Sequence, residues 1–173
     1  TNQTFLFTYR GTPGDIRCKK FFDYHGLEYA HVKNSAHVSK KELRAHHLWP
    51  DFISGIPMSL TQIKHFWDYL GSQIIVRGKK DPKIFDGWLK QDYTIDYLIT
   101  KGLLKPNCKR YTDFDLVRVP SKTTKEKLIY IKKVLAKGFD FDKNIQIKYG
   151  NIHQVKGLTF DNVIVDHTLT RRE

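Results

Sequence analysis

A strand, a polar loop and a second strand near the C-terminal end constrain this chain more than any other feature. Residues 145–149 (IQIKY) alternate as a half-buried strand does, and residues 163–165 (VIV) form the short apolar run typical of a buried parallel strand. The loop between them contains Lys156 and Gly157, with His153 nearby. Glycine lets the backbone approach a ligand and lysine supplies a mobile positive charge, so the loop suits a phosphate group.

The flanking regions alternate strands with helices. The N-terminal patterns predict a strand at 4–9, a turn at 10–14, a helix at 15–24 and a strand at 27–32. That helix places Ile16, Phe21 and Tyr24 near one face. Farther along, a strand is predicted at 115–119 and a lysine-rich amphipathic helix begins at Ser121, with an apolar stripe at Leu128, Ile131, Val134 and Leu135.

This alternation predicts an α/β fold with a parallel sheet, whose ligands gather at the carboxyl ends of the strands. Arg10 and residues 153–159 fall at such ends. The predicted core domain comprises residues 1–36 and 112–173.

Residues 37–111 predict a small, mostly helical insertion. The sequence S-K-K-E at 39–42 is a capping box that opens a helix closed by Pro50. A second helix opens at Ser59, buries Ile63, Phe66, Trp67 and Leu70 on one face, and stops at Gly71. A strand at 73–77 and a short helix within 94–104 complete the prediction.

Charge points to a polyanionic partner. The 173-residue chain carries a formal charge of +12 with a pI near 9.6. Its hydrophobic content of 40% is too high for general disorder. A basic surface of this size is typical of nucleic-acid binding, although a solvated basic surface explains it equally well. The lysine-rich face of the predicted C-terminal helix belongs to the second interpretation.

The cysteines and hydropathy indicate a cytoplasmic protein. Cys18 and Cys108 lie far apart without metal-ligand spacing, so we expect reduced thiols. No apolar run approaches the roughly 18 residues that a membrane span requires, and no signal-peptide pattern opens the chain.

Three features of residues 37–111 admit a functional and a structural interpretation. His37, His46 and His47 suggest metal, but adjacent histidines on a helix face different ways and no Cys or carboxylate completes a set, so no metal site is predicted. The basic turn at 77–80 (RGKK) fits a phosphate backbone or a solvated loop. Four aromatic residues either stack bases or pack a core, and helical spacing favours the core: Trp49, Phe52, Phe66 and Trp67.

The run IHQVKGLTFDNVIV resembles motif V of the UvrD/Rep-like superfamily 1 DNA helicases, written T-x-H-x-x-K-G-L-E-F before a hydrophobic strand. Asn151 stands where the family usually has Thr, and Thr159 where it usually has Glu on the nucleotide side of the motif. The matching residues are His153, Lys156, Gly157, Leu158 and Phe160.

The N-terminal region resembles the start of the same family's second RecA-like domain. There a strand ends in a Tyr-Arg pair, as at Tyr9 and Arg10, and a later strand opens as residues 26–29 (GLEY) do. Residues 63–70 resemble the helix that leads into the family's inserted subdomain. The resemblance therefore implies a parallel RecA-like sheet of the P-loop NTPase type, with flanking helices and a small insertion.

The resemblance also implies two sets of site residues. The DNA-binding set, facing single-stranded DNA, is Tyr9, Arg10, Asn151, His153 and Lys156. The nucleotide-binding set is Lys156, Gly157 and Thr159. The implied partners are single-stranded DNA and the N-terminal motor domain of the same protein, and the implied cofactors are ATP and Mg²⁺ in the full-length enzyme.

The chain lacks a G-x-x-x-x-G-K-[ST] phosphate loop and a strand ending in paired acidic residues, which the family places in a first RecA-like domain upstream. Residues 169–173 faintly echo the family's closing arginine motif. We therefore expect an excised C-terminal helicase domain with no catalytic residue of its own and no ATP hydrolysis alone. Two alternatives are a free-standing nucleic-acid-binding module that lost the motor, and a small nuclease using Asp161, Asp166 and His167.

Overall fold

The computed structural model describes residues 3–33, 36–117 and 125–166. Short 3₁₀ helices lie at Pro82–Phe85, Pro106–Arg110 and Phe114–Leu116. The other regular elements are β1 (Phe5–Tyr9), α1 (Gly11–His25), β2 (Tyr29–His31), α2 (Lys40–Ile53), β3 (Met58–Ser59), α3 (Leu60–Trp67), β4 (Asp92–Tyr93), α4 (Ile95–Thr100), α5 (Lys125–Ala136), β5 (Ile147–Asn151) and β6 (Asn162–Val165).

The chain divides into two compact units. The sheet unit comprises Thr1–Ser39 and Lys125–Glu173, and the inserted unit comprises Lys40–Thr124. The sequence prediction assigned residues 112–117 to the core domain, whereas Phe114 and Val117 pack in the hydrophobic cluster of the inserted unit.

The sheet unit is built on four parallel strands in the order β2-β5-β1-β6. Phe5 of β1 is in register with Ile147 of β5 on one side and with Asn162 of β6 on the other. Helices flank this sheet, so the predicted α/β class with a parallel sheet is confirmed. Because all four strands run the same way, their carboxyl ends share one edge of the sheet.

Helix α1 begins at Gly11, earlier than predicted. The Pro13 ring is tolerated there because amide groups in the first turn of a helix have no intrahelical acceptor. The buried face consists of Gly14, Cys18 and Phe22, whereas the predicted face is exposed. The prediction that Ile16, Phe21 and Tyr24 form the apolar face of this helix is therefore wrong.

Aromatic side chains fill much of the sheet unit's core. Phe22, Tyr29 and Tyr149 are buried and pack edge to face or tilted, with ring centroids 4.7–5.9 Å apart. Helix α5 adds Tyr130, whose hydroxyl donates to the Leu27 carbonyl at 3.0 Å. Of the predicted apolar stripe of α5, Ile131 and Val134 are buried, while Leu128 and Leu135 are only half-buried.

Strand β6 is more exposed than its sequence predicted. Val163, Ile164 and Val165 are 55%, 45% and 41% exposed, because β6 forms an outer strand of the described sheet. An uninterrupted apolar run normally marks a parallel strand covered on both faces. Within the described residues, the prediction that residues 163–165 form a buried strand is therefore wrong.

The inserted unit has its own core around α2 and α3. Helix α3 starts where it was predicted, and Ser59 and Gln62 form a complete capping box there. Helix α2 continues past Pro50 to Ile53, so the prediction that Pro50 closes it is wrong. Four aromatic side chains that could either stack bases or pack a core are all fully buried, which confirms that they pack the core: Trp49, Phe52, Phe66 and Trp67.

Two predicted strands are absent from the described residues. Residues 73–77 form turns and a single antiparallel bridge between Ile75 and Leu104. Phe114–Leu116 is a 3₁₀ helix in place of the start of the strand predicted at 115–119, and residues 118–119 lie outside the described part. The helix predicted within 94–104 is the shorter α4, with Thr94 as its N-cap.

Both thiols fit the expectation from the sequence, since Cys18 and Cys108 are buried and free. Within the residues that the structure describes, helices long and apolar enough to cross a membrane are lacking.

Candidate functional site at the carboxyl edge of the sheet

An open pocket of about 390 Å³ lies at the carboxyl edge of the sheet unit. The ends of β1, β2 and β5 and the first turns of α1 form its walls. This is the edge where ligands of open parallel sheets bind. The lining residues are Tyr9, Gly11, Thr12, Asp15, Lys19, His31, Tyr149, Asn151 and Gln154.

On one wall of the pocket, the side chains of Tyr9 and Lys19 both donate hydrogen bonds to Asp15. The Tyr9 hydroxyl donates to Asp15 Oδ1 at 3.0 Å, and Lys19 Nζ donates to Asp15 Oδ2 at 2.7 Å. Burial, and then Asp15, raise the pKa of the Tyr9 hydroxyl, while the hydrogen bond to Asp15 raises the pKa of Lys19. Tyr9 also stacks on Tyr149, with ring centroids 6.1 Å apart. Asp15 and Lys19 thus form an ion pair, and the hydrogen bond from Tyr9 to Asp15 fixes the end of β1 against α1.

A second wall is set by Gln154. Its Oε1 accepts the Asn151 backbone N–H at 2.9 Å and lies 3.1 Å from His31 Nε2. Because an amide oxygen only accepts, His31 Nε2 must carry the proton. The other ring nitrogen, His31 Nδ1, accepts the Lys33 backbone N–H at 3.2 Å, which is consistent with that tautomer. The pair therefore connects the ends of β2 and β5.

The motif V-like loop leaves β5 in a series of tight turns. Asn151 Oδ1 accepts the His153 backbone N–H at 2.9 Å, and the Asn151 carbonyl accepts that of Gln154 at 2.8 Å. Such an Asx turn is one reason that Asn is favoured where a strand ends. Gly157 has a φ of 83°, a conformation that side chains with a Cβ adopt only with strain. The conformation of the loop therefore depends on Asn151 at its start and on Gly157.

The predicted DNA-binding residues follow two neighbouring strand ends. Tyr9 and Asn151 are paired in the parallel ladder, and Ile152 donates its backbone N–H to the Tyr9 carbonyl at 3.1 Å. Arg10 directly follows Tyr9, His153 comes two residues after Asn151, and both are exposed. Tyr9 itself is only 6% exposed, so its ring packs in the core and Arg10 is the accessible member of the pair.

The predicted nucleotide-binding residues lie farther along the same loop. Lys156, Gly157 and Thr159 are exposed and do not line the 390 Å³ pocket. Of both predicted sets, Tyr9 and Asn151 line the pocket, and the other members do not.

Sequence reasoning missed several pocket residues that carried usable signals. Asp15 and Lys19 stand four residues apart in a helix that follows a strand end, which is the spacing of a helical ion pair. His31 ends β2, and the rule that site residues follow parallel strands applies to it as it does to Arg10. Gln154 carried no comparable signal, since its role depends on the folded turn.

The carboxylates of the nuclease alternative have structural partners. Asp161 Oδ2 accepts the Thr4 backbone N–H at 2.7 Å and the Thr4 hydroxyl at 2.8 Å, while Asp166 pairs with Arg17 at 2.6 Å. His167 lies outside the described residues. Across the described ranges, no cluster of three or more His, Cys, Asp or Glu side chains is arranged to hold a metal ion.

Comparisons with protein-family models, with curated proteins and with solved structures found no match to this chain.

Proposed function

We propose that this chain is the second RecA-like domain of a UvrD-like DNA helicase and that it grips single-stranded DNA through its carboxyl edge. The observation that carries the proposal is the pairing of Tyr9 with Asn151. Two sequence stretches that separately resemble helicase motifs, one at each end of the chain, begin at adjacent strand ends. A chance resemblance in either stretch gives no reason for this adjacency.

The α/β architecture is compatible with the proposal. A RecA-like domain requires a parallel sheet flanked by helices, and the sheet unit has four parallel strands with α1 and α5. The inserted unit separates β2 from α5, which is the region where the family carries its insertion.

In the proposed grip, Arg10 supplies a planar, permanently charged donor to a phosphate. His153 supplies a second polar group from the neighbouring strand end. Lys156 lies on the same exposed loop and adds positive charge. The paired Asp15 and Lys19 contribute little net charge, so these three exposed side chains are the groups that attract the DNA.

The same loop would carry the nucleotide side of the site in the complete motor. Gly157 allows close approach of the backbone, and Thr159 and Lys156 flank it. ATP and Mg²⁺ would bind between this domain and an N-terminal motor domain. One loop that touches DNA and nucleotide couples the two affinities, because a shift favoured by one ligand alters the contacts of the other.

Fluorescence anisotropy with a short labelled oligo(dT) at low salt tests the grip. Arg10→Ala and His153→Ala should each weaken binding by about 1–3 kcal/mol, the range of charge-assisted and stacking contacts in a site. Lys125→Ala at the start of α5 and Lys137→Ala directly after its end are matched controls at exposed positions. Lys133 is less suitable, since its Nζ donates to the Tyr24 carbonyl at 2.9 Å.

The control variants should show a smaller loss that largely disappears as salt rises, because exposed charges act through screening and counterion release. Equal losses for the site and control variants at every salt concentration would refute the grip. The resemblance would then describe only a shared origin.

A further inference from the structure

A second pocket, of about 690 Å³, lies within the inserted unit. It belongs to the size range of sites that bind drug-sized ligands or single peptide side chains. The segment that follows α3 provides most of its wall. Its lining residues are Leu70, Gly71, Ser72, Gln73, Ile75, Val76, Arg77, Gly78, Lys80 and Lys105.

The pocket is framed by backbone hydrogen bonds. Val76 donates its N–H to the Leu103 carbonyl at 3.0 Å, and Lys105 donates its N–H to the Ile74 carbonyl at 2.8 Å. These bonds flank the antiparallel bridge of Ile75 with Leu104. The aliphatic part of the wall is therefore anchored to the well-packed core of the inserted unit and is formed before any ligand arrives.

Three cations surround this apolar wall: Arg77, Lys80 and Lys105. Lys105 Nζ donates to the Ser72 carbonyl at 2.7 Å, and Lys80 Nζ donates to the Leu70 carbonyl. Neutral carbonyls thus hold both ammonium groups at the pocket. Among the described residues that line it, none carries a carboxylate.

The local electrostatics favour an incoming anion. Burial lowers the pKa of Lys80, against a smaller opposing effect of Asp68. Asp68 does not line the pocket, and its carboxylate pairs with Lys41. Among the described lining residues every formal charge is positive, so the pocket attracts an incoming carboxylate.

The wall chemistry distinguishes between anionic partners. Extended sites for single-stranded nucleic acid commonly combine a positively charged groove with exposed aromatic side chains that stack on bases. Among the described residues no aromatic side chain lines this pocket, and Trp67 and Phe66 of the adjacent helix are fully buried. The Leu70 and Ser72 carbonyls, which would accept hydrogen bonds from base edges, already accept from lysines.

We propose that this pocket docks a short acidic peptide segment of a partner protein. An aliphatic or aromatic side chain of the segment packs against Ile75 and Val76. Flanking Asp or Glu carboxylates, or a terminal carboxylate, pair with Arg77, Lys80 and Lys105. The proposal is independent of the DNA grip, because every residue involved belongs to the inserted unit.

Fluorescence polarisation with fluorescein-labelled synthetic hexapeptides tests this docking. One series has an Asp/Glu frame with Leu, Phe or Ala at a single position, and a matched series has a Lys frame. We expect the acidic Leu and Phe peptides to bind, the acidic Ala peptide to bind at least about fivefold more weakly, and the Lys-frame peptides not to bind. Binding should weaken as salt rises.

Two neighbouring variants provide the sharpest control. Arg77 lines the pocket, whereas Lys79 lies in the same exposed turn and does not. Arg77→Ala should weaken peptide binding about fivefold, the effect of losing one solvent-exposed ion pair, and Lys79→Ala should leave it unchanged. Val76→Thr should selectively weaken the Leu and Phe peptides, because it places a hydroxyl in the apolar wall.

Tryptophan fluorescence, which reports only on the inserted unit, checks that each variant is folded. Three outcomes would overturn the proposal: no acidic peptide binds the wild-type protein, Arg77→Ala and Lys79→Ala have equal effects, or oligo(dT) displaces the peptide and shows the same Arg77 dependence. The last outcome would assign the pocket to nucleic acid.

Discussion

Replacing Gly14 by Ala tests how β1 is held against α1. An added Cβ would lie 2.6 Å from Tyr9 Cβ and 3.1 Å from two of its ring carbons. Carbon atoms normally approach to about 3.5–4.0 Å, and Tyr9 Cβ cannot rotate away because it is fixed to the backbone. Helix α1 must therefore move away from β1 by about 1 Å, and overpacking of this kind costs about 1–3 kcal/mol.

A gain in helix propensity opposes this cost. Alanine in a helix interior is about 0.5–1 kcal/mol better than glycine. The clash exceeds the gain, so we expect Gly14→Ala to reduce the free energy of unfolding of the sheet unit by about 1–2 kcal/mol. Lys20→Ala, at an exposed position of the same helix, should change it by less than about 0.5 kcal/mol.

Hydrogen exchange measured by mass spectrometry on peptides covering β1 and β5 reports this change where it occurs. Trp49, Trp67 and Trp88, the three tryptophans of the chain, all lie in the inserted unit, so their fluorescence monitors that unit separately. Faster exchange in β1 and β5 is the expected result. Unchanged or slower exchange would mean that α1 does not pack on β1 as described.

Two further predictions concern the sheet unit. Burial raises the pKa of Tyr29 and of Tyr130, so the folded state keeps them neutral at a pH where the unfolded chain ionises. Their contribution to stability should be complete below about pH 10 and fall as pH rises toward the higher folded-state values, seen as alkaline unfolding coincident with tyrosinate absorbance. The exposed Tyr24 provides the control, since Tyr24→Phe should leave that transition in place. Separately, replacing Lys40–Thr124 by a short Gly-Ser linker should leave a cooperatively folded sheet unit, because all four parallel strands and the bond from Tyr130 to Leu27 lie inside it. Loss of a cooperative transition in circular dichroism would contradict that independence.

The sequence predicted elements best where a local signal and tertiary packing agree. The Ser59 and Gln62 capping box marks the start of α3 because both hydrogen bonds are local. The strands on either side of the Lys-Gly loop could be predicted for a similar reason, because the glycine turn and the apolar run after it are local sequence signals. A general rule about parallel strands predicted that the ends of β1 and β5 share one edge of the sheet, but not that Tyr9 and Asn151 are paired neighbours.

Elements that depend on distant partners were poorly predicted. The buried face of α1 contains Gly14, a residue without a side chain, because β1 approaches too closely for any other. Hydrophobic periodicity gives weight to large side chains, and it therefore selected Ile16 and Phe21, which are exposed. Segments 73–77 and 115–119 have strand-like composition, but residues 73–77 form turns and Phe114–Leu116 is a 3₁₀ helix. The Gln154 contacts in the pocket were likewise invisible, since they join residues far apart in sequence.

The order of the strands has a consequence for how the protein is made. Phe5 of β1 pairs with Ile147 and Asn162, so β1 finds both neighbours only after the whole inserted unit has been synthesised. The inserted unit is one continuous stretch of sequence that precedes β5 and β6, so it can fold first. The sheet unit, whose strand β1 waits for partners in β5 and β6, is then the later of the two units to fold.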